Sequence, residues 1–217
     1  MKVIGITGPT GAGKTTALNA LRELGTEVID ADEVYHRLLE TDEGLKKALK
    51  AAFGEQIGDK MGRIDRKALS EAVYPGSLEE LGAITHPAVL AAIGARVEKA
   101  QREGRPAVVI DAIALIESGL GEKCDAVVTV LAPLEVRVAR IMARDGIDES
   151  YARRRAMAQK DDGFFRAHAH YVLENTEGDT PESFRERAKA LLETLLEESG
   201  DITRTDEAHK EYYLNKG

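Results

Sequence analysis

Short apolar runs alternate with amphipathic stretches along the chain. Val3 to Ile6, Glu27 to Ile29, Ala107 to Ile110, Ala126 to Leu131 and Tyr171 to Leu173 read as strands, and apolar residues recur at helical spacing between them. Five strands separated by helices predict an α/β fold with a parallel five-stranded sheet and helices on both faces. Val108-Val109-Ile110 and Val127-Val128-Thr129-Val130 fit strands buried on both sides. The spacing is uneven, because Glu40 to Gly104 reads as helix after helix where a crossover needs only about a dozen residues. Within it Asp42 to Phe53, Asp65 to Tyr74 and His86 to Glu103 are periodic, with Gly54, Gly62 and Pro75-Gly76 as breaks. By position alone, His86 before Pro87 reads as a helix start. The stretch predicts a helical insertion that builds a lobe for a second substrate; the plainer alternative is helical decoration of the sheet.

The first strand feeds Gly8-Pro9-Thr10-Gly11-Ala12-Gly13-Lys14-Thr15, which matches G-x-x-x-x-G-K-[ST]. The glycines let backbone N–H groups turn in around phosphates, and the helix that follows adds the positive end of its dipole. Lys14 is expected to reach the β- and γ-phosphates and the Thr15 hydroxyl to ligate Mg²⁺, with Thr16 completing the ATP-binding stretch. The helix Thr15 to Leu24 closes on Gly25, a C-cap candidate. After the second strand comes Asp30-Ala31-Asp32-Glu33-Val34, where a carboxylate is placed either to accept a proton in phosphoryl transfer or to cap a helix. Asp111 closes the third strand and is either an oxygen partner for Mg²⁺ beside Thr15 or a strand-end residue. Arg137 to Arg166 is dense in arginine and mostly helical, which suits a lid whose guanidinium groups meet phosphate, although Arg153 to Arg155 read equally as a solvated face. The expected organisation is a nucleotide-binding core over 1–40, the acceptor-binding insertion over 41–104, the second part of the core over 105–198 with a lid at about 145–166, and a polar tail over 199–217.

The chain has 217 residues and a net charge of −8, which repels a polyanion at long range and favours a small-molecule partner over nucleic acid. Cys124 is the only cysteine, so no intrachain disulfide or cysteine-based zinc site forms, and it reads as a packing residue. Met1-Lys2 leads straight into the first strand, and no apolar run approaches a membrane span. A cytoplasmic protein without membrane partners is expected, and its oligomeric state is unknown from sequence.

Together these segments resemble the dephospho-coenzyme A kinase family from about residue 1 to 195. The resemblance rests on Ile4-Gly5-Ile6-Thr7-Gly8, Leu24-Gly25, Val28-Ile29-Asp30-Ala31-Asp32, Phe53-Gly54, Gly62-Arg63-Ile64-Asp65-Arg66 with Leu69, His86-Pro87, Arg140, Arg144, Gln159 and Asn175. It implies a P-loop NTPase-type fold, ATP and Mg²⁺, and transfer of the γ-phosphoryl group to the ribose 3′-hydroxyl of dephospho-CoA. It further implies Asp32 as the base, Lys14 and Arg140 at the ATP phosphates, Asn175 near the adenine, and Arg66, Leu69 and His86 with Asp32 at the acceptor. The chain departs from the family pattern at several positions. Ala112 to Glu117 lacks the proline usual after Asp111, Arg137 stands where a glutamine is common, Phe165 stands where a lid arginine is common with Arg166 beside it, and Ala169-His170-Tyr171 replaces an Ala-Asp pair. A P-loop kinase for a nucleoside monophosphate or a shikimate-like alcohol is the alternative. A non-catalytic nucleotide switch is a second, against which stands the lack of an Asn-Lys-x-Asp motif.

Overall fold

The computed structural model describes residues 1–73 and 75–197, so the polar tail expected at 199–217 lies outside the described residues. β1 (Lys2–Thr7) passes through the glycine loop into α1 (Lys14–Glu23), and β2 (Glu27–Asp30) follows. Four helices come next: α2 (Ala31–Thr41), α3 (Glu43–Phe53), α4 (Arg66–Ala72) and α5 (Leu78–Arg102). The chain continues with β3 (Ala107–Asp111), β4 (Ala126–Leu131), α6 (Leu134–Asp145), α7 (Glu149–Met157), α8 (Asp162–His168), β5 (Tyr171–Glu174) and α9 (Pro181–Glu197). All five expected strands are present, in the order β2-β3-β1-β4-β5.

Parallel pairing puts Ile6 opposite Asp111 and Thr7 opposite Thr129, so the loop after β1 emerges mid-sheet between the carboxyl ends of β3 and β4. The apolar runs explain this placement. Every residue of β4 is buried, as are Ala107 to Ile110 of β3, which only the interior of a sheet covered on both faces allows. On one face Ile4, Ile6, Val109, Val128 and Val130 pack with Leu18 and Leu21 of α1 and with Phe184, Leu191, Leu192 and Leu195 of α9. Each such buried side chain contributes about 1.5–3 kcal/mol.

The chain divides into two compact units, one of residues 1–28 with 100 onward and one of residues 29–99. The second has its own core of Leu39, Leu45, Leu49, Phe53, Ile57, Ile64 and Leu69. Its helices start where short carboxylates satisfy their first amides. Asp42 Oδ1 accepts from Leu45 N at 2.9 Å, and Asp65 Oδ1 accepts from Lys67 N at 2.8 Å and Ala68 N at 3.0 Å.

One expected boundary is corrected here. His86 does not start a helix, because α5 begins at Leu78 and carries Pro87 inside it. Proline removes one intrahelical bond and normally breaks a helix. Here the apolar stripe of Leu81, Ile84 and Ala88, all packed on the second unit's core, runs through that position and holds the helix continuous. Among the described residues, no helix is long and apolar enough to cross a membrane.

Thr129 is fully buried in β4, and its hydroxyl has no hydrogen-bond partner among the described residues. A buried polar atom without a partner costs about 1–3 kcal/mol. Thr129→Val should therefore raise the unfolding free energy in urea by about 1 kcal/mol; an equal loss would show that the hydroxyl is satisfied.

Candidate active site

The loop of residues 8–13 is held by side-chain donors on its carbonyls. Lys14 Nζ donates to Gly8 O at 2.7 Å, Arg137 Nε to Thr10 O at 3.0 Å, and Arg140 Nη1 to Gly11 O and Ala12 O at 3.3 Å each. Asn175 Nδ2 adds a bond to Ala12 O at 3.0 Å, and its Oδ1 accepts from Arg140 Nη2 at 3.0 Å. Gly13 O is taken into α1 by Thr16 N at 3.0 Å and Ala17 N at 3.3 Å. A planar trans peptide directs each N–H opposite its C=O. Outward carbonyls at Thr10 and Ala12 therefore aim the Gly11 and Gly13 amides at the inner side of the loop, where a phosphate sits in such cradles.

α1 completes an anion-binding end. Its N-cap is Gly13 in a left-handed conformation, no side chain caps it, and its first turn carries no acid. The positive end of its dipole and its first amides thus face the loop unopposed by a carboxylate. Gly13 is obligatory: at φ +109°, an added Cβ would fall 2.3 Å from Asn175 Nδ2. Thr15 is exposed in the first turn of α1, and Asp111 ends β3 beside β1. A hydroxyl at the start of α1 and a carboxylate at the end of β3 are the kind of hard oxygen donors that Mg²⁺ takes, with its remaining positions left to phosphate and water. Among the described residues, no cluster of three or more His, Cys, Asp or Glu side chains offers a protein-only metal site.

The second unit carries the other candidates. Asp30, not Asp32, is the N-cap of α2: its Oδ1 accepts from Asp32 N at 2.8 Å and Glu33 N at 3.0 Å. Capping therefore does not occupy the Asp32 carboxylate, which lies exposed in the first turn of α2. Arg66 and the buried Leu69 border a cleft of about 270 Å³ with Tyr35, His36 and Leu39. Burial pushes the Tyr35 hydroxyl above its ordinary pKa, with the nearby Arg66 charge opposing. His86 is exposed on α5, on the turn after Gly82, and does not line that cleft.

The arginine-dense segment is mostly self-paired. Arg153 donates to Glu135 at 2.7 Å and Glu149 at 2.8 Å, Arg155 to Asp145 at 2.6 Å, and Arg144 to Asp145 at 2.7 Å. Arg154 bonds Ser150 and lies over the Tyr151 ring. Arg166, the neighbour of the buried Phe165, pairs with Glu174. Sequence reading missed Arg137 as a loop contact. An arginine in an amphipathic helix reads as solvated, yet Arg137 is 5% exposed on the same stripe of α6 as Val138 and Ile141. Its place in that apolar stripe was the available signal. Cys124 has its thiol pushed up to about 12 by burial, so it is protonated and inert at neutral pH.

Two outcomes follow from this geometry. Gly13→Ala should weaken ATP binding at least about tenfold by displacing Asn175 or the loop, as read by calorimetry on folded protein. The hydrogen bond from Arg144, joined by Arg155, holds the Asp145 carboxyl down to about 2 from its usual 3.8. Its folded-state value is depressed, so its contribution to the α6–α7 contact is complete above pH 3.8 and lost as pH falls toward 2. Carboxyl NMR should give Asp145 a midpoint near 2, and a midpoint near 3.8 would dissolve the pairing.

The sequence model of the dephospho-CoA kinase family matches residues 2–180. A curated dephospho-CoA kinase of Dehalococcoides mccartyi is 37% identical over 177 residues, covering 81% of this chain and 89% of that one. A solved protein of Thermus thermophilus superposes with a TM-score of 0.72 at 35% identity, over 92% of this chain and 98% of its own. The dephospho-CoA kinase structure from Campylobacter jejuni gives a TM-score of 0.66 at 26% identity, over 89% and 96%. A family match across most of the chain, with relatives covered over most of their own length and a shared fold, establishes that this chain belongs to the dephospho-CoA kinase family.

Proposed function

We propose that this chain transfers the γ-phosphoryl group of ATP to the ribose 3′-hydroxyl of dephospho-CoA, giving CoA and ADP. The observation that carries the reading is the loop whose carbonyls from Gly8 to Gly13 are each engaged, which leaves an amide-lined cradle at the start of α1. In it the triphosphate lies along the inner amides, and Lys14 exchanges its bond to Gly8 O for phosphate oxygen. Arg140 keeps the loop in shape, and its charge adds to the field on the phosphates. Thr15 and Asp111 are the residues to hold Mg²⁺, which when bound neutralises charge on the β- and γ-phosphates.

Asp32 is proposed to accept the proton of the acceptor hydroxyl, supported by an exposed carboxylate that capping does not consume. Arg66 and Leu69 are proposed to hold the acceptor through charge and apolar contact, since a guanidinium beside an apolar cleft suits a ligand with both a pyrophosphate and less polar parts. His86 stands outside that cleft and is proposed only as a further polar contact. The chemistry needs ATP and an intracellular acceptor, so we place the activity in the cytoplasm.

The test is ADP release with dephospho-CoA, AMP, adenosine and shikimate side by side. Turnover should be selective for dephospho-CoA, and an equal or greater rate with AMP or shikimate would move the chain to another acceptor. Asp32→Asn should lower kcat about 10²- to 10⁴-fold with KM for ATP within about twofold. Undiminished turnover would remove Asp32 from the proton transfer.

A further inference from the structure

Arg137 is a buried cation, and burial pulls its pKa down against the opposing charge of Asp162. Such a charge persists only where polar partners surround it. Its partners converge on one residue of the loop. Nε donates to Thr10 O at 3.0 Å, while Nη2 donates to Ala156 O at 2.9 Å and to Gln159 Oε1 at 3.3 Å. Gln159 Oε1 also accepts from Thr10 N at 2.8 Å, so a closed ring runs from Thr10 through Gln159 and Arg137 back to Thr10.

The ring fixes two successive peptide planes. Gln159 holds the N–H of the plane before Thr10, and Arg137 holds the C=O of the plane after it. That second plane carries the Gly11 amide, and Gly11 at φ +80° has the backbone freedom to let it rotate away. Glycine is required here all the same, because a Cβ on Gly11 would lie 2.8 Å from Arg137 O and 3.0 Å from Arg137 Cα, so the loop passes directly against the backbone of α6 at Arg137. The same guanidinium reaches Ala156 O in the last turn of α7, and Gln159 lies in the link between α7 and α8.

We propose that Arg137 and Gln159 are positioning residues that latch the apex of the phosphate loop to the end of α7, so that the Gly11 amide is aimed only while this link is in place. The proposal rests on the reading that the loop grips ATP. Neither residue touches the phosphates; they act through the Thr10 and Gly11 peptides. Lysine cannot substitute at 137, since one ammonium on a flexible stem does not reach both Thr10 O and Ala156 O as a planar fork does.

The experiment compares Arg137→Lys, Gln159→Leu, Gln159→Glu and the Arg137→Lys/Gln159→Leu double variant with wild type. It reads steady-state ADP release, ATP binding by calorimetry, and amide exchange across residues 150–160. Arg137→Lys and Gln159→Leu should each raise KM and Kd for ATP about tenfold, the scale of one charge-assisted bond, with KM for dephospho-CoA within about twofold. Gln159→Glu keeps the accepting oxygen and should stay within about threefold of wild type. The double variant should cost no more than the worse single one, because both act on one peptide pair. ATP should slow exchange across 150–160 in wild type and not in Gln159→Leu. Should Arg137→Lys fail to fold, Gln159→Leu and Gln159→Glu carry the test, since they bury no new charge away from a partner. ATP constants within about twofold of wild type in a folded Gln159→Leu would overturn the latch, as would a falling melting temperature with an unchanged ATP constant. Wild-type protein that binds no ATP would instead sink the assignment beneath it, and differs visibly because all variants would then look alike.

Discussion

A loop that cradles phosphate must turn its amides inward, and the cost is a row of carbonyls pointing away from the ligand. Those carbonyls are acceptors that need partners, and leaving one buried and unpaired costs about 1–3 kcal/mol. Here the partners are Lys14 at Gly8, Arg137 at Thr10, Arg140 at Gly11 and Ala12, and Asn175 at Ala12. Three of those four side chains come from α6 and the end of β5. The sheet order explains how they arrive. With β4 next to β1 and β5 next to β4, the segments that leave β4 and β5 both pass the loop that leaves β1. The cradle is thus a property of the first unit as a whole, and its local sequence supplies only the glycines, the lysine and the helix end.

The use of arginine divides along the same line. Arg137 and Arg140 are drawn into the loop's support, where a planar fork can serve several carbonyls at once. Arg144, Arg153 and Arg155 are satisfied by Asp145, Glu135 and Glu149 within α6 and α7. Exposed pairs of this kind contribute little stability each, but here they share partners and tie two helices into one network. The net charge of −8 is therefore compatible with an anionic ligand, because Arg137 and Arg140 are held beside the loop by carbonyl and side-chain amide oxygens, which leave their positive charge in place.

The second unit follows a different logic. Its helices are short, capped by Asp30, Asp42 and Asp65, and packed around a core of leucine and isoleucine. α5 is the exception in length, and its continuity through Pro87 shows packing outweighing the loss of one helical bond. The cleft beside Arg66 and Leu69 combines an apolar floor with a guanidinium and a desolvated tyrosine. That mixture suits a ligand of uneven polarity better than a uniformly charged one.

Sequence alone determined the five strands, the glycine loop and the helix behind it, because each rests on residue types at adjacent or evenly spaced positions. Buried parallel strands need unbroken Val and Ile, and a phosphate cradle needs Gly, Lys and Thr within eight residues, so both are written locally. Only the tertiary structure decided what the polar residues do. It assigned the cap of α2 to Asp30 and left Asp32 outside that role, a choice set by backbone angles at the strand-to-helix corner. It carried α5 past His86, where the helix start had been expected, since core contacts overrode the proline signal. It also brought Arg137, Arg140 and Asn175 to carbonyls, and Gln159 to the Thr10 amide, more than a hundred residues away in sequence. A hydrogen-bond donor carries no mark of its distant acceptor in its own neighbourhood, and the folded chain alone supplies the pairing.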